Sequence, residues 1–216
     1  FIATPSPVTA LAYSVDGSRL ITGSLDGSIR AFETGTQAVP WVVRAIAGRS
    51  SPVVSMIVSD DGRWVTALAK NAATSGDSAL VSFDVADGTP RFAPTPLRGG
   101  RRLAYSPTLR HIAVDAEPES PAPGNASILA VVDAETGRTV RASRQNDIQA
   151  VTFAPDGQAV LTAGGRDDAG FIGMYDLATR VPAFELQFAI PILVEVSAAE
   201  TPVVAIVDSN NAMLTI

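Results

Sequence analysis

Cysteine is absent from this chain of 216 residues, and histidine occurs once, as His111. The absence of cysteine excludes disulfide scaffolds, thiolate zinc sites and cysteine nucleophiles. His111 precedes the apolar run 112–114, so we interpret it as a strand-end residue whose side chain bonds to the backbone. With one histidine and no Gly-x-Ser-x-Gly segment, the sequence gives little support to nucleophilic hydrolysis.

Positive charge is in deficit, and long apolar runs are missing. The net charge is −6, and this acidic balance argues against nucleic acid as a partner. No apolar run approaches the roughly 18 residues of a membrane-spanning helix, and no charged-then-apolar leader is visible, so we expect no membrane insertion.

The two ends of the sequence indicate that it is a piece of a longer protein. The chain begins at Phe1 rather than at methionine, and it ends at Ile216 inside a predicted strand. A leader or further domains are therefore expected beyond these ends. A chain without cysteine suits the cytosol as well as an exported protein, and of the compartments we favour the cytoplasm.

What the sequence does contain is a repeat of apolar strands and polar turns, clearest over residues 7–33. Four copies close on an aromatic or aliphatic residue followed by an acid, at Phe32-Glu33, Phe83-Asp84, Val132-Asp133 and Tyr175-Asp176. The steps between these acids are 51, 49 and 43 residues, the period of a four-stranded propeller blade. A fifth, weaker copy begins near Ile192.

Each repeat predicts four short strands and no helix. First strands are expected at 8–13, 53–58, 102–105 and 148–153, second strands at 19–23, 64–68, 111–114 and 159–163, and third strands at 28–32, 79–83, 127–132 and 171–175. Fourth strands are expected at 41–46 and 139–142, and the last third strand at 212–216. Asp-Gly and Pro-Asp-Gly turns between first and second strands are strong hairpin signals.

These residues resemble the WD40 repeat family, most closely over 14–33 and 154–165. The family's Gly-His pair is absent, and its Trp-Asp ending survives only as the four pairs above, so its His–Asp–Ser–Trp hydrogen-bond tetrad cannot form. The resemblance still assigns the turn between second and third strands to Asp26, Asp77 and Asp168. Residues 127–165 are also similar to YVTN or lactonase-like propellers, which are our second choice of family.

The fold expected from the repeat and the resemblance is an all-β propeller of about five four-stranded antiparallel blades, either complete or a fragment of a larger, seven-bladed ring. The blade units are expected near 5–46, 47–94, 95–143 and 144–187, with a last unit of 188–216 plus 1–4. In that last unit, residues 1–4 would add the fourth strand and close the ring, which removes exposed sheet edges.

No metal or cofactor site is expected. Asp60-Asp61 and Asp167-Asp168 lie in predicted turns, where aspartate usually caps the backbone through its own side chain. Gly99-Gly100 and Gly164-Gly165 lack the spacing of a nucleotide-binding loop.

The candidate binding face comes from the loops. In propellers of this family, the loops from fourth to first strands and from second to third strands open on the same face. The first set carries five arginines, namely Arg49, Arg98, Arg101, Arg102 and Arg144. The second set is long at 69–78 and at 115–126, where Asp115, Glu117 and Glu119 add acid. Two interpretations stay open, because the arginines either contact a partner or pair with the acidic loop.

The resemblance implies a non-catalytic scaffold or sensor module that binds a protein or peptide, or other domains of a longer chain. In bacteria such repeats often form the sensing end of a longer chain, and the usage of Ala, Arg, Asp and Gly is typical of bacteria. The alternative is a hydrolytic, lactonase-like propeller enzyme with a metal in its central channel. That alternative needs carboxylates from different blades at the channel, and we see no such set, so we do not expect an enzyme.

Overall fold

The computed structural model describes residues 4–70, 77–108, 110–117, 126–166, 169–179, 182–188, 191–196, 204–208 and 213–215. These residues form nineteen strands and no helix, which confirms the all-β prediction. Over the same residues, nothing has the length and helical form needed for a membrane-spanning helix.

The strands form five antiparallel sheets, four of four strands and one of three. The first sheet holds β1 (Val8–Tyr13), β2 (Arg19–Ser24), β3 (Ser28–Glu33) and β4 (Trp41–Arg44). The second holds β5 (Val53–Val58), β6 (Trp64–Lys70), β7 (Asp77–Asp84) and β8 (Thr95–Arg98). The third holds β9 (Leu103–Tyr105), β10 (His111–Ala116), β11 (Ala126–Asp133) and β12 (Thr139–Asn146).

The fourth sheet holds β13 (Ile148–Phe153), β14 (Ala159–Arg166), β15 (Ala169–Asp176) and β16 (Pro182–Phe188). The fifth holds β17 (Pro191–Val196), β18 (Val204–Asp208) and β19 (Met213–Thr215). Within every sheet the strands follow one another in chain order. The first strands of successive sheets also contact each other, β1 with β5, β5 with β9, β9 with β13 and β13 with β17, as the inner strands of propeller blades do.

The strand ends differ from the sequence prediction where backbone pairing continues into polar residues. The β6–β7 ladder runs to the pair Lys70 and Ser78, so the loop between these strands is shorter than expected. Likewise β10 runs to Ala116, which places Asp115 in a strand rather than in a loop. Arg144 also lies in a strand, β12, and not in the loop where we expected it.

The outermost strand of the second sheet lies beyond the boundary expected between the second and third blade units. β8 (Thr95–Arg98) pairs with β7 and therefore belongs to the second sheet, although residue 95 was expected to open the third unit. Arg98 consequently ends a strand instead of lying in a loop. The expected ring closure by residues 1–4 involves residues 1–3, which lie outside the described residues, and the number of blades in the full ring stays a prediction.

The Asp-Gly turns between first and second strands are held by a serine and an aspartate. The Ser14 hydroxyl donates to Asp16 Oδ1 at 2.6 Å, and the Ser18 amide donates to the same oxygen at 3.0 Å. These hydrogen bonds, first that from Ser14, lower the pKa of Asp16 to about 2. Gly17 follows with a φ of 68°, a conformation that glycine adopts freely. The second sheet repeats the arrangement with Ser59, Asp61 and Gly62.

The turn between β2 and β3 is held by Asp26, as the resemblance predicts. Its Oδ1 accepts the Ser28 amide at 3.1 Å and the Ser28 hydroxyl at 2.6 Å. Its other carboxylate oxygen lies 3.4 Å from the Arg44 guanidinium and 3.9 Å from that of Arg30. The corresponding predictions for the side chains of Asp77 and Asp168 lie outside the described residues.

Among the residues whose burial is described, three apolar cores lie between neighbouring sheets. Phe83 belongs to the first core, between the first and second sheets, together with Ile29 and Trp41. The second core joins Leu80 of the second sheet to Val132 of the third, and the third core joins the third and fourth sheets. At the family's Trp position, Phe32, Phe83 and Val132 are buried, whereas Tyr175 is half-buried.

Side-chain hydrogen bonds to backbone carbonyls add a second kind of tie between sheets, in a chain that cannot form the family's tetrad. The Trp41 indole donates to the Val85 carbonyl at 3.0 Å, from the first sheet to the second. Similar bonds run between later sheets, from Thr95 to Gly137, from Arg102 to Ile148 and from Arg141 to Asp176.

Candidate functional site

The loop from β8 to β9 carries two of the five predicted arginines, Arg101 and Arg102, and it is held by Asp115. The amides of Arg101 and Arg102 both donate to Asp115 Oδ1, at 2.6 and 2.7 Å. The Arg102 guanidinium lies 3.7 Å from Asp115 Oδ2 and also donates to the Ile148 carbonyl at 3.2 Å. Asp115 is 7% exposed, so this loop is fixed to the end of β10 from inside the protein.

The two glycines of this loop allow that close approach. Gly99 and Gly100 have φ angles of 64° and 91°, which side chains rarely adopt. A Cβ at Gly99 would lie 2.6 Å from Glu117 Cγ, and one at Gly100 would lie 3.0 Å from the Asp115 carbonyl oxygen. The loop after the fourth strand β8 therefore meets the end of the second strand β10.

The structure separates the five predicted arginines into different surroundings. Arg102 is occupied by Asp115 and Ile148, while Arg101 is exposed. Arg49, after β4, and Arg98, at the end of β8, line a common cleft. For Arg144 the described part of the chain gives the strand but not the side chain.

This cleft, called the outer groove, has a volume of about 790 Å³. It is lined by the second and third sheets and by the segment that joins the first sheet to the second. Its wall is mainly apolar, with Ile46, Ala79, Pro96, Leu97, Ile128 and Ala130. Three charged side chains complete it, those of Arg49, Arg98 and Glu117. Volumes of this size, with a few polar groups on an apolar wall, are typical of ligand sites.

A buried hydroxyl also lines the outer groove. Ser78 lies on β7 and is 5% exposed, and its Oγ has no hydrogen-bond partner. Nothing in the segment around Ser78 marks a site, so this residue was not predicted from the sequence. Ser14 and Ser59 were not predicted either, although the repeated Ser-x-Asp-Gly pattern at 14–17 and 59–62 was a usable signal.

At the opposite end of the sheets, the turns form a second cleft of about 620 Å³ that contains Asp16, Asp61 and Asp84. These carboxylates are engaged in the protein. Asp16 and Asp61 hold their own turns, and Asp84 accepts the Ala86 amide at 2.7 Å and lies 3.7 Å from Arg63. Among the described residues, no group of three or more metal-ligating side chains occurs.

His111 lies at the start of β10, as predicted, but its Nδ1 is buried without a hydrogen-bond partner. The backbone partner that we expected is therefore missing at this nitrogen. Burial lowers the pKa of His111, against the opposing effect of the Asp133 carboxylate. The side chain lies on the strand opposite Asp133, away from the outer groove.

Comparison with known proteins supports the repeat. A family model for the WD domain, G-beta repeat, matches residues 1–33. The chain is also similar to the WD repeat-containing protein SL1-17 of Schistosoma mansoni, with 39% identity over 83 residues. This match covers 38% of the chain and 24% of the relative, so the chain spans about a quarter of that relative's length.

Proposed function

We propose that this chain, whose fold is that of a WD40-repeat-like β-propeller, is a non-catalytic scaffold that binds a protein or peptide partner. WD40 repeats generally mediate interactions between proteins. The observation that carries the proposal is the outer groove, an apolar cleft with arginines at its rim on a frame of packed sheets. The partner is a separate protein or another domain of a longer chain.

The five arginines take different parts in this proposal. Arg49, Arg98 and Arg101 contact the partner, since the first two line the outer groove and the third is exposed beside it. Arg102 is the residue that fixes the loop, because Asp115 already holds its guanidinium. Arg144 stays in the proposed face on the strength of its place near the end of β12.

The hydrolytic alternative has no observation in its favour. It requires carboxylates or a histidine–carboxylate pair that converge on a channel. Within the described residues, the carboxylates of the turn cleft each hold a turn or pair with an arginine. The acidic net charge of −6 likewise supports a protein rather than a nucleic acid as partner.

A random peptide library displayed on phage, selected against the immobilised chain, tests this function. We expect enrichment of a shared motif, whose synthetic peptide binds in calorimetry with a dissociation constant near the micromolar range. A lactone and phosphate-ester panel is assayed on the same preparation. If no peptide is selected and any substrate in the panel is turned over, the scaffold function is wrong and the hydrolytic alternative takes its place.

A further inference from the structure

The outer groove contains a polar group that the protein itself leaves unsatisfied. Ser78 Oγ is buried without a hydrogen-bond partner. Ser82, four residues later on the same side of β7, is also buried, but its hydroxyl bonds to the hydroxyl of Thr66 at 3.0 Å. Buried hydroxyls without partners are destabilising. Three occur among the described residues, those of Thr22, Ser51 and Ser78. Of these, Ser78 is the one that lines the outer groove, and this position points to a role in binding a ligand.

The charged side chains around Ser78 favour a ligand with negative charge. Two arginines and one glutamate line the groove, which makes its rim positive on a chain whose net charge is −6. Arg49 and Arg98 already interact within the protein, but a guanidinium has five N–H donors and can serve more than one acceptor. Carboxylates are the acceptors that match its planar fork.

The edge strand of the second sheet, β8, is poorly suited to pair with a peptide through backbone hydrogen bonds. β8 is the outermost strand of that sheet, and an exposed edge normally invites an added strand. Pro96 lies within β8, and proline has no N–H to donate to a neighbouring strand. Recognition therefore depends on side chains, with the apolar wall at Leu97 and Ile128 as the contact for an aliphatic group.

We propose that the outer groove binds an acidic peptide segment of a partner protein. An aliphatic side chain of the peptide packs against Leu97 and Ile128, a carboxylate pairs with Arg49 and Arg98, and a polar group of the peptide hydrogen-bonds to Ser78. This inference rests on the proposed scaffold function and adds the site and the chemistry of the partner.

The test uses the intact chain and three fluorescein-labelled peptides, measured by fluorescence anisotropy. One peptide alternates leucine with aspartate, the second replaces aspartate by asparagine, and the third replaces leucine by serine. We expect only the first to bind, with an affinity that falls as salt rises. Arg49→Glu with Arg98→Glu should weaken binding by about tenfold or more, while Arg110→Glu, an exposed arginine outside the groove, should leave it unchanged.

The two serines provide a matched pair that separates binding from folding. Ser78→Ala removes an unsatisfied hydroxyl, so we expect weaker peptide binding with an unchanged or higher melting temperature. Ser82→Ala leaves Thr66 without its partner, so we expect a lower melting temperature with unchanged peptide affinity. Equal affinity of the chain and of its Ser78 and arginine variants would overturn the groove assignment.

The outcomes also distinguish this inference from the scaffold function. If displayed peptides bind but are insensitive to the Ser78 and arginine variants, the scaffold function stands and the groove assignment fails. If the asparagine peptide binds as tightly as the aspartate peptide, the assigned chemistry is wrong. If none of the three labelled peptides binds, the groove assignment fails, and if in addition no displayed peptide is selected and a substrate of the panel is turned over, the scaffold function fails with it.

Discussion

At the scale of single residues, the aspartate that closes the second, third and fourth repeats caps the turn leading to the fourth strand. Asp133 Oδ1 accepts the amides of Glu135 and Thr136 at 3.2 and 2.8 Å, and the Thr136 hydroxyl at 2.7 Å. Asp176 accepts the amides of the residues two and three places after it at 2.7 and 2.8 Å. The residue before this acid varies among phenylalanine, valine and tyrosine. The acid itself recurs because it bonds to backbone groups of its own turn, whatever residue precedes it.

This capping predicts how stability depends on pH. The hydrogen bond from the Thr136 hydroxyl, followed by that from the Thr136 amide, holds the pKa of Asp133 below its usual 3.8. A lowered folded-state pKa contributes stability above 3.8 that is lost as the pH falls through the folded-state value. We expect Asp133→Asn to lower the melting temperature near pH 7 and to flatten its decline in acid.

The measurement is the melting temperature from about pH 7 down to about pH 2.5, a range that covers the titration of carboxylates. Glu135→Gln, which changes an exposed carboxylate in the same turn, serves as the control and should follow the unmodified chain. Parallel curves for the chain and for Asp133→Asn would show that the cap contributes nothing that titrates.

At the scale of elements, the sequence predicted those strands whose bounds are set by neighbouring turn residues and apolar runs. Asp-Gly turns bounded by apolar runs were sufficient to predict the first strands, and β1, β5 and β13 have the predicted bounds. β8 was not predicted as the fourth strand of the second sheet, because Thr-Pro-Leu-Arg has no β pattern and becomes a strand only through pairing with β7. The outer groove was not predictable either, since two sheets and the segment after β4 meet to form it.

At the same scale, the structure gives different surroundings to the two arginines of the β8–β9 loop. The structure supports internal pairing for Arg102, but the acid is Asp115 on β10, at the start of the acidic segment. Glu117, further along, lies beside Gly99 and in the outer groove. Residue 119 lies outside the described part of the chain. Arg102 is therefore held within the protein, whereas the neighbouring Arg101 is exposed.

Removal of the carboxylate that fixes this loop should release it. Asp115→Ala takes away the acceptor of the Arg101 and Arg102 amides, and amides that lose a buried partner cost about 1–3 kcal/mol. We expect faster hydrogen exchange at these two amides and a matching loss in the free energy of unfolding. Glu117→Ala, an exposed acid two residues later, is the control. Unchanged exchange in Asp115→Ala would mean that the loop is held by the glycine turn alone.

At the scale of the whole molecule, stability is divided among cores that each belong to two neighbouring sheets. The first core contains Phe83 and the third contains Ile148, and they share no residue. Arrays in which each unit contacts only its neighbours lose stability locally rather than all at once. The packing therefore predicts that a destabilising substitution in one core lowers the local stability of the two sheets that form this core more than that of the other sheets.

A reciprocal pair of core variants tests that division. Phe83→Ala should cost about 3–5 kcal/mol and Ile148→Ala about 2–5 kcal/mol, since these side chains are 6% and 2% exposed. In native-state hydrogen exchange, we expect Phe83→Ala to raise exchange in the first and second sheets, and Ile148→Ala to raise it in the third and fourth. Leu11→Ala, at a side chain 61% exposed, should change neither pattern. A uniform rise across all sheets from either core variant would show one cooperative unit, and an unchanged melting temperature for Phe83→Ala would contradict its place in the first core.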